Sequence, residues 1–423
     1  MEAFFNKIKL VLQDHSLRKR TFFVLGALVV FRLLAVIPIP KVDILRLESF
    51  LANNEFLGLL NIFSGGGLSN LSIVMLGVAP YITGSIIMQL LTIMSPKMKA
   101  LYQEEGEAGR RKFNQYSRLL TVPLAVIQGF GFLAFLRTQG VLEDMTLFDQ
   151  FVNVAVITAG SVLLMWIGEL ITEFGIGNGV SIIIFAGIVA SLPATTSQLL
   201  FTFELSQSPI YLAAIAAAVA VTYGVVYITE AERPIPITYA KRVRGMKIFG
   251  GISTYLPLRL NQAGVIPIIF ALSILLFPQM VLNFLGGVDN PVVKNISEFL
   301  LGFVENPWIY SVVYFILVFI FTYFYTAVTF DPDTTSKHLQ KSGAFIPGIR
   351  PGSNTSVYIA NILTRLTLVG ALFLGVIAVL PLLMMALTDI AAFAIGGTGL
   401  LIVVSVVIDL IKKIDAQVSV REY

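Results

Sequence analysis

The chain has no cysteine among its 423 residues and only two histidines, His15 and His338. The first absence excludes disulfides, thiolate metal sites and a catalytic thiol. The two histidines stand far apart in polar segments. No HExxH, GxSxG or Walker-type phosphate loop occurs, so neither a metal centre nor a cofactor is expected. Charge is scarce as well: 13% of residues are Asp, Glu, Lys or Arg, against about 25% in an ordinary soluble domain. What the chain has instead is apolar residues, 56% of the total, with a mean hydropathy of +0.85. They come in long blocks, and a bilayer core about 30 Å thick takes roughly 20 apolar residues per helix. The composition is that of an integral membrane protein.

Residues 22–37 follow the basic run Arg18, Lys19 and Arg20 and run into Ile-Pro-Ile-Pro at 37–40. With no small-residue cleavage site, they predict an uncleaved first span. Further spans are predicted at 73–93, 118–136, 151–171, 177–192, 210–229, 263–282, 308–328, 362–383 and 391–411. With the N-terminus inside, 23 of the 29 Lys and Arg residues fall on the cytoplasmic side. Only Lys41, Arg46, Arg137 and Lys294 fall opposite, and Arg32 and Arg365 lie in or beside spans. That bias fits the positive-inside rule, and an odd number of spans would scramble it. The expectation is therefore ten spans with both termini cytoplasmic. The net charge of +4 then reflects topology, and no direct DNA binding is expected. Five spans plus five suggests an inverted repeat. The halves would be 21–192 and 210–411, joined by an external hinge at 193–209. Tails at 1–20 and 412–423 and long loops at 230–262 and 329–361 would be cytoplasmic.

Charges inside the spans are few. Arg32, Glu169 and Asp409 lie toward span ends, where a structural role is expected, and no acidic or histidine group sits near a midplane as ion coupling would require. The segment Asn61, Ile62, Phe63, Ser64, Gly65, Gly66, Gly67, Leu68, Ser69, Asn70 and Leu71 is too short to span. Three successive glycines cost about 1 kcal/mol each in a helix, so the chain turns there. Composition alone favours an external surface loop over a re-entrant segment, because non-helical backbone at membrane depth needs protein or water around it. Gly175-Ile-Gly-Asn-Gly179 reads as a tight turn between two apolar helices. In the two long loops, prolines, β-branched residues and interspersed charge predict stiff folded excursions such as short hairpins. Loops of this size usually dock a partner. A secondary transporter, an intramembrane enzyme or a scaffold remain open on these features.

Together the segments closely resemble the SecY/Sec61-alpha family, whose bacterial members form the central channel subunit of the Sec protein translocase. The motifs are Asn61-Ile-Phe-Ser-Gly-Gly through Ala79-Pro-Tyr-Ile, Ile86-Ile-Met-Gln-Leu-Leu91, Glu105-Gly-Glu-Ala-Gly-Arg-Arg111 and Thr172-Glu-Phe-Gly-Ile-Gly-Asn-Gly179. Asn261-Gln-Ala-Gly-Val-Ile-Pro267, Ile349-Arg-Pro-Gly352 and Gly396-Gly-Thr398 continue the match to the end of the chain. The resemblance implies an all-α membrane protein of ten transmembrane helices, in two inverted five-helix halves around an hourglass pore. The segment Asn61–Leu71 becomes a short plug helix, which reverses the surface-loop reading. A constriction ring is implied at Val78, Ile82, Val180, Ile184, Ile269 and Ile402. Val78 and Ile82 are four residues apart, as are Val180 and Ile184, so each pair shares a helix face about 6 Å apart along the axis. Spacing alone would make them ordinary packing residues; the motif match reverses that. Ile86, Gln89 and Asn261 fall on the implied lateral gate of spans 2 and 7. Lys241, Arg242 and Arg350 fall on an implied docking platform. No enzyme activity is expected. The resemblance further implies SecE and SecG subunits, the SecA ATPase, the ribosome, preprotein signal sequences, nascent chains and lipid as partners, in the bacterial plasma membrane.

Overall fold

The computed structural model describes residues 13–40, 64, 66–68, 70–138, 142, 146–201, 208–240, 242–244, 247–249, 253–286, 295, 297, 302, 306–388 and 391–419. The first half holds α1 (His15–Leu34), α2 (Ala79–Met94), a short α3 (Pro96–Gln103), α4 (Gly106–Thr138), α5 (Leu147–Phe174) and α6 (Gly179–Phe201). The second begins with α7 (Ser208–Glu230), followed by strands β1 (Glu232–Tyr239), β2 (Arg242–Arg244), β3 (Lys247–Phe249) and β4 (Ser253–Arg259). It continues through α8 (Ile266–Gly286), α9 (Pro307–Thr329), a short α10 (Pro332–Lys341), β5 (Ala344–Phe345), α11 (Ser353–Thr388) and α12 (Ala391–Ser419). Apart from α3 and α10, the helices described answer one for one to the ten predicted spans.

Local chemistry explains where the boundaries differ from prediction. Asp14 accepts the Ser16 and Leu17 amides at 2.7 and 3.0 Å, so α1 starts well before residue 22 and carries Arg18–Arg20 as helix. The α5 helix opens on a capping box between Thr146 and Asp149. Asn306 caps α9 ahead of Pro307, and Asp331 caps α10 ahead of Pro332. Span 2 is the clearest correction. Its helix begins at Ala79 rather than 73, because Gly77 takes φ +58° and Pro80 fits only the first turn. At 1.5 Å per residue its 16 residues reach only about 24 Å. The seven residues before it, 72–78, are nearly all buried turns. At the other end of this half, α6 runs on to Phe201 with Pro193 inside it, so the start of the expected hinge at 193–209 is helical.

The two halves repeat one packing scheme. In the first, α1 packs on α5 and α6, and α2, α4, α5 and α6 pack in succession. In the second, α7 packs on α11 and α12, and α8, α9, α11 and α12 pack in succession. Each helix of one half thus has a counterpart five spans on. With five crossings per half, the second half enters the membrane from the side opposite to the first. The halves meet through α6 against α12 along one seam, and through α2 and α4 against α8 along the other. The outward faces stay apolar, as Leu212, Ile215, Val219 and Tyr223 on α7 illustrate. That is the pattern expected of helices bathed in lipid.

The first long loop folds as predicted, into hairpins, whereas the second forms α10 and the two-residue β5. The β1 strand pairs antiparallel with β4, and β5 adds to its other edge at Thr238 and Tyr239. The Leu260 amide donates to the Ala231 carbonyl at 2.8 Å, so alternation leaves Pro234, Pro236 and Pro257 at positions that do not hydrogen-bond across the pair. Their missing N–H groups therefore cost the ladder nothing. Ile235 and Leu258 bury against Ile346, Ile359 and Ile362, which seats this sheet on the foot of α11. A smaller cluster of Leu17, Ile176 and Val418 joins the start of α1, the α5–α6 turn and the end of α12.

Candidate functional site

Between α2, α4, α5, α6, α8 and α9 lies a cavity of about 740 Å³. It opens toward the face that carries the basic connections. Its walls there are polar and charged: Glu107, Arg111, Asn114, Gln115, Arg118, Glu169 and Glu173. Farther in they become apolar at Ile82, Val180, Ile184 and Ile269. Five of the six expected ring residues, Val78, Ile82, Ile184, Ile269 and Ile402, are buried in one cluster, and Val180 packs against it. Ile82, Val180, Ile184 and Ile269 thus line one cavity, from α2, α6 and α8, while Val78, just ahead of α2, and Ile402 of α12 are buried in the same apolar core.

Close backbone approaches fix these positions. A Cβ on Gly399 of α12 would lie 3.0 Å from Ile188 of α6. These helices run in opposite directions, so one turn nearer the basic face Ile402 follows on α12 and Ile184 on α6. At the α5–α6 turn, a Cβ on Gly179 would lie 1.8 Å from the Gly168 carbonyl oxygen. The Gly179 amide donates to Thr172 Oγ1 at 2.8 Å, and Asn178 Oδ1 accepts from the Val180 amide at 3.1 Å. The predicted tight turn is thus a fitted joint that aims Val180 into the cavity.

Beyond the apolar floor lies the segment expected to form a plug. Its described residues contradict a surface loop: Ser64, Leu68 and Leu71 are buried, as are Val74 and Met75 after them. The described residues of 64–78 form turns and, at Ser72, an isolated bridge to Pro38, rather than a helix. Asn61, Ile62, Phe63, Gly65 and Ser69 lie outside the described residues. Backbone polar groups at this depth are satisfied inside the protein, as they must be. Ile39 donates to the Leu71 carbonyl and Ile73 to the Ile37 carbonyl, each at 2.9 Å, while Ser72 donates to Gly67 at 2.8 Å. The left-handed backbone at Gly66, φ +83°, suits glycine. Gly160 of α5 admits the Ile73 carbonyl, which would stand 2.0 Å from a Cβ there.

The remaining predicted residues separate. Ile86 is buried on α2, and Gln89 lines the cavity. Asn261 lies before α8, against Gly370 of α11. The two amides stay local: Gln89 donates to Ser85 Oγ at 3.4 Å and Asn261 to the Gly264 carbonyl at 3.0 Å. Arg350 is exposed on a braced turn. Its carbonyl accepts from Thr355 Oγ1 at 3.0 Å, and the Gly352 carbonyl accepts from Ser336 Oγ at 2.6 Å. Arg242 starts β2, opposite Phe249, and Lys241 lies outside the described residues. Sequence reasoning missed the ion pair on the cavity wall, where Arg118 Nε meets Glu169 Oε1 at 2.5 Å. Its sequence signal was two opposite charges near the same ends of neighbouring spans.

A family model described as SecY matches residues 72–411. The protein translocase subunit SecY of Mycobacterium leprae is 40% identical over 443 aligned positions, covering 100% of this chain and 99% of the relative. The chain belongs to the SecY family. It is a protein-conducting translocation channel and not an enzyme. Among solved structures, one described as "The plug domain of the SecY protein stablizes the closed state of the translocation channel and maintains a membrane seal" aligns with TM-score 0.66 at 20% identity, over 96% of this chain and 93% of that one. Canine Sec61 in a ribosome-channel complex from the endoplasmic reticulum aligns with TM-score 0.62 at 20% identity, over the same 96% and 93%. The channel fold thus accompanies the SecY-family sequence, and the cavity just described occupies its interior.

Proposed function

We propose that the cavity is the cytoplasmic funnel of the channel, with Val78, Ile82, Val180, Ile184, Ile269 and Ile402 as its constriction and the segment 61–71 as its plug. The observation that carries this reading is the pairing of charged walls with an apolar wall built from α2, α6 and α8 in one cavity, with a buried non-helical segment next to α2. A dry apolar collar impedes ions, since none of its groups replaces their hydration. The same collar offers a passing chain no hydrogen bonds that would hold it. The funnel faces the cytoplasm, and both termini lie there, because the positive-inside bias selects that side for the basic loops.

Spans 2 and 7, meeting as α2 and α8, form the lateral gate beside Ile86, Gln89 and Asn261. Apolar segments sort through it into lipid, at roughly −0.3 to −0.6 kcal/mol per central Leu, Ile, Val or Phe. Arg350, with Lys241 and Arg242, docks the SecA motor and the ribosome. A planar guanidinium on a braced loop is suited to bidentate carboxylate or phosphate contacts. The related Sec61 in its ribosome-channel complex supports that side of the platform. SecE and SecG complete the assembly in the bacterial plasma membrane. The test is reconstitution in vesicles with SecA, ATP and a preprotein. Preprotein becomes protected from protease with the parent chain, and Arg350→Glu abolishes that protection while leaving insertion intact. Full transport by Arg350→Glu refutes the docking assignment.

A further inference from the structure

Arg118 of α4 and Glu169 of α5 pair on the funnel wall, beside the apolar floor. The Glu169 side chain keeps 17% of its surface and Arg118 keeps 46%, so the carboxylate is largely out of water and depends on its partner. Two close helix contacts bracket the pair. One residue before Arg118, the Ser117 carbonyl lies 3.1 Å from where a Cβ on Gly84 of α2 would stand. One residue before Glu169, the Cβ position of Gly168 lies 3.2 Å from Val180 of α6, and its carbonyl admits only glycine at 179. Thus α2 is locked to α4, and α5 to α6, by contacts that tolerate little sliding.

The consequence follows from what each couple carries. The α2–α4 couple holds Val78 and Ile82; the α5–α6 couple holds Val180 and Ile184. The ion pair spans the seam between the couples, on the same cavity wall as Tyr81, the neighbour of Ile82. We infer that Arg118 and Glu169 are a positioning pair that sets the closed width of the constriction by holding the two couples in register. This rests on the ring reading above.

The test measures iodide leak from proteoliposomes that hold the full chain with its native partner subunits, without motor or preprotein, at equal amounts of assembled protein. Arg118→Gln and Glu169→Gln each raise the resting leak about fivefold, the ratio that about 1 kcal/mol of pair energy represents. The double variant leaks no more than either single one, because both substitutions remove the same bond. Ile402→Asn serves as the reference for a broken ring. If it leaks while either single variant stays at the parent level, the pair inference fails and the ring reading stands. A double variant whose leak is the product of the two singles also overturns the inference. If Ile402→Asn itself stays at the parent level, the ring reading falls and the pair inference falls with it.

Discussion

Replacing Ile402 by asparagine perturbs the proposed constriction at a residue only 1% exposed, within the apolar core that also holds Val78, Ile82, Ile184 and Ile269. Losing the buried aliphatic branch forfeits about 2 kcal/mol of apolar burial. An amide left without a partner in that cluster costs about 1–3 kcal/mol more. A wetted, loosened ring bears neither cost, since the amide can then bind water. The closed state therefore loses about 3 kcal/mol or more against a leaky one, about a hundredfold in their ratio at 1.4 kcal/mol per tenfold. Iodide efflux from proteoliposomes without motor reads this directly, and secretion of a preprotein with a defective signal sequence should improve in parallel. Two controls separate ring chemistry from general loosening. Ile402→Val costs about 0.5–1.5 kcal/mol and stays dry, so its leak should remain within about tenfold of the parent. Leu401 is 0% exposed in the same cluster but points about 100° away around the helix, so Leu401→Asn should lower stability with little leak. Equal leak from both asparagine variants, or none from either, would refute the reasoning.

Gly179→Ala should be poorly tolerated, because its Cβ would lie 1.8 Å from the Gly168 carbonyl oxygen. Overpacking against backbone costs about 1–3 kcal/mol or more, to be seen as a lower melting temperature and a reduced amount of assembled chain; a parent-like variant would mean that the α5–α6 joint is looser than described. The chain's lack of cysteine permits a test of sidedness with Lys241→Cys. An impermeant thiol reagent should label it only from the cytoplasmic side, and labelling from outside would overturn the orientation.

The long loops at 230–262 and 329–361 show how a sequence can carry a fold without its detail. Alternating Pro and β-branched residues in Glu232–Tyr239 pointed to a stiff hairpin, and the β1–β4 pair is one. What the pattern could not supply was β5, which reaches β1 from residues 344 and 345, since pairing across a hundred residues leaves no local trace. The segment 61–71 makes the converse case. Its glycines foretold a turn, yet composition placed it on the surface, because a short, moderately apolar run has the same makeup in a loop or in a sealed interior. Burial of Leu68 and Leu71 depended on hydrogen bonds to residues 37–39 and on the notch at Gly160. These are long-range terms. The Arg118–Glu169 pair left only a weak trace, two opposite charges near the same ends of neighbouring spans, where a solvated role for each is ordinary.

By itself the amino-acid sequence determined the membrane class, the ten apolar blocks and the expected sidedness of their connections. These follow from hydrophobic length and charge count, which are sums along the chain and need no knowledge of neighbours. Motif order added the family. Only the tertiary structure decided that Ile82, Val180, Ile184 and Ile269, from three helices, line one cavity whose other walls carry charge. Helical spacing can place two residues on one face, but what that face meets is set by helix packing. In lipid nearly every face is apolar, so sequence alone cannot tell a residue that faces lipid from one that faces a pore.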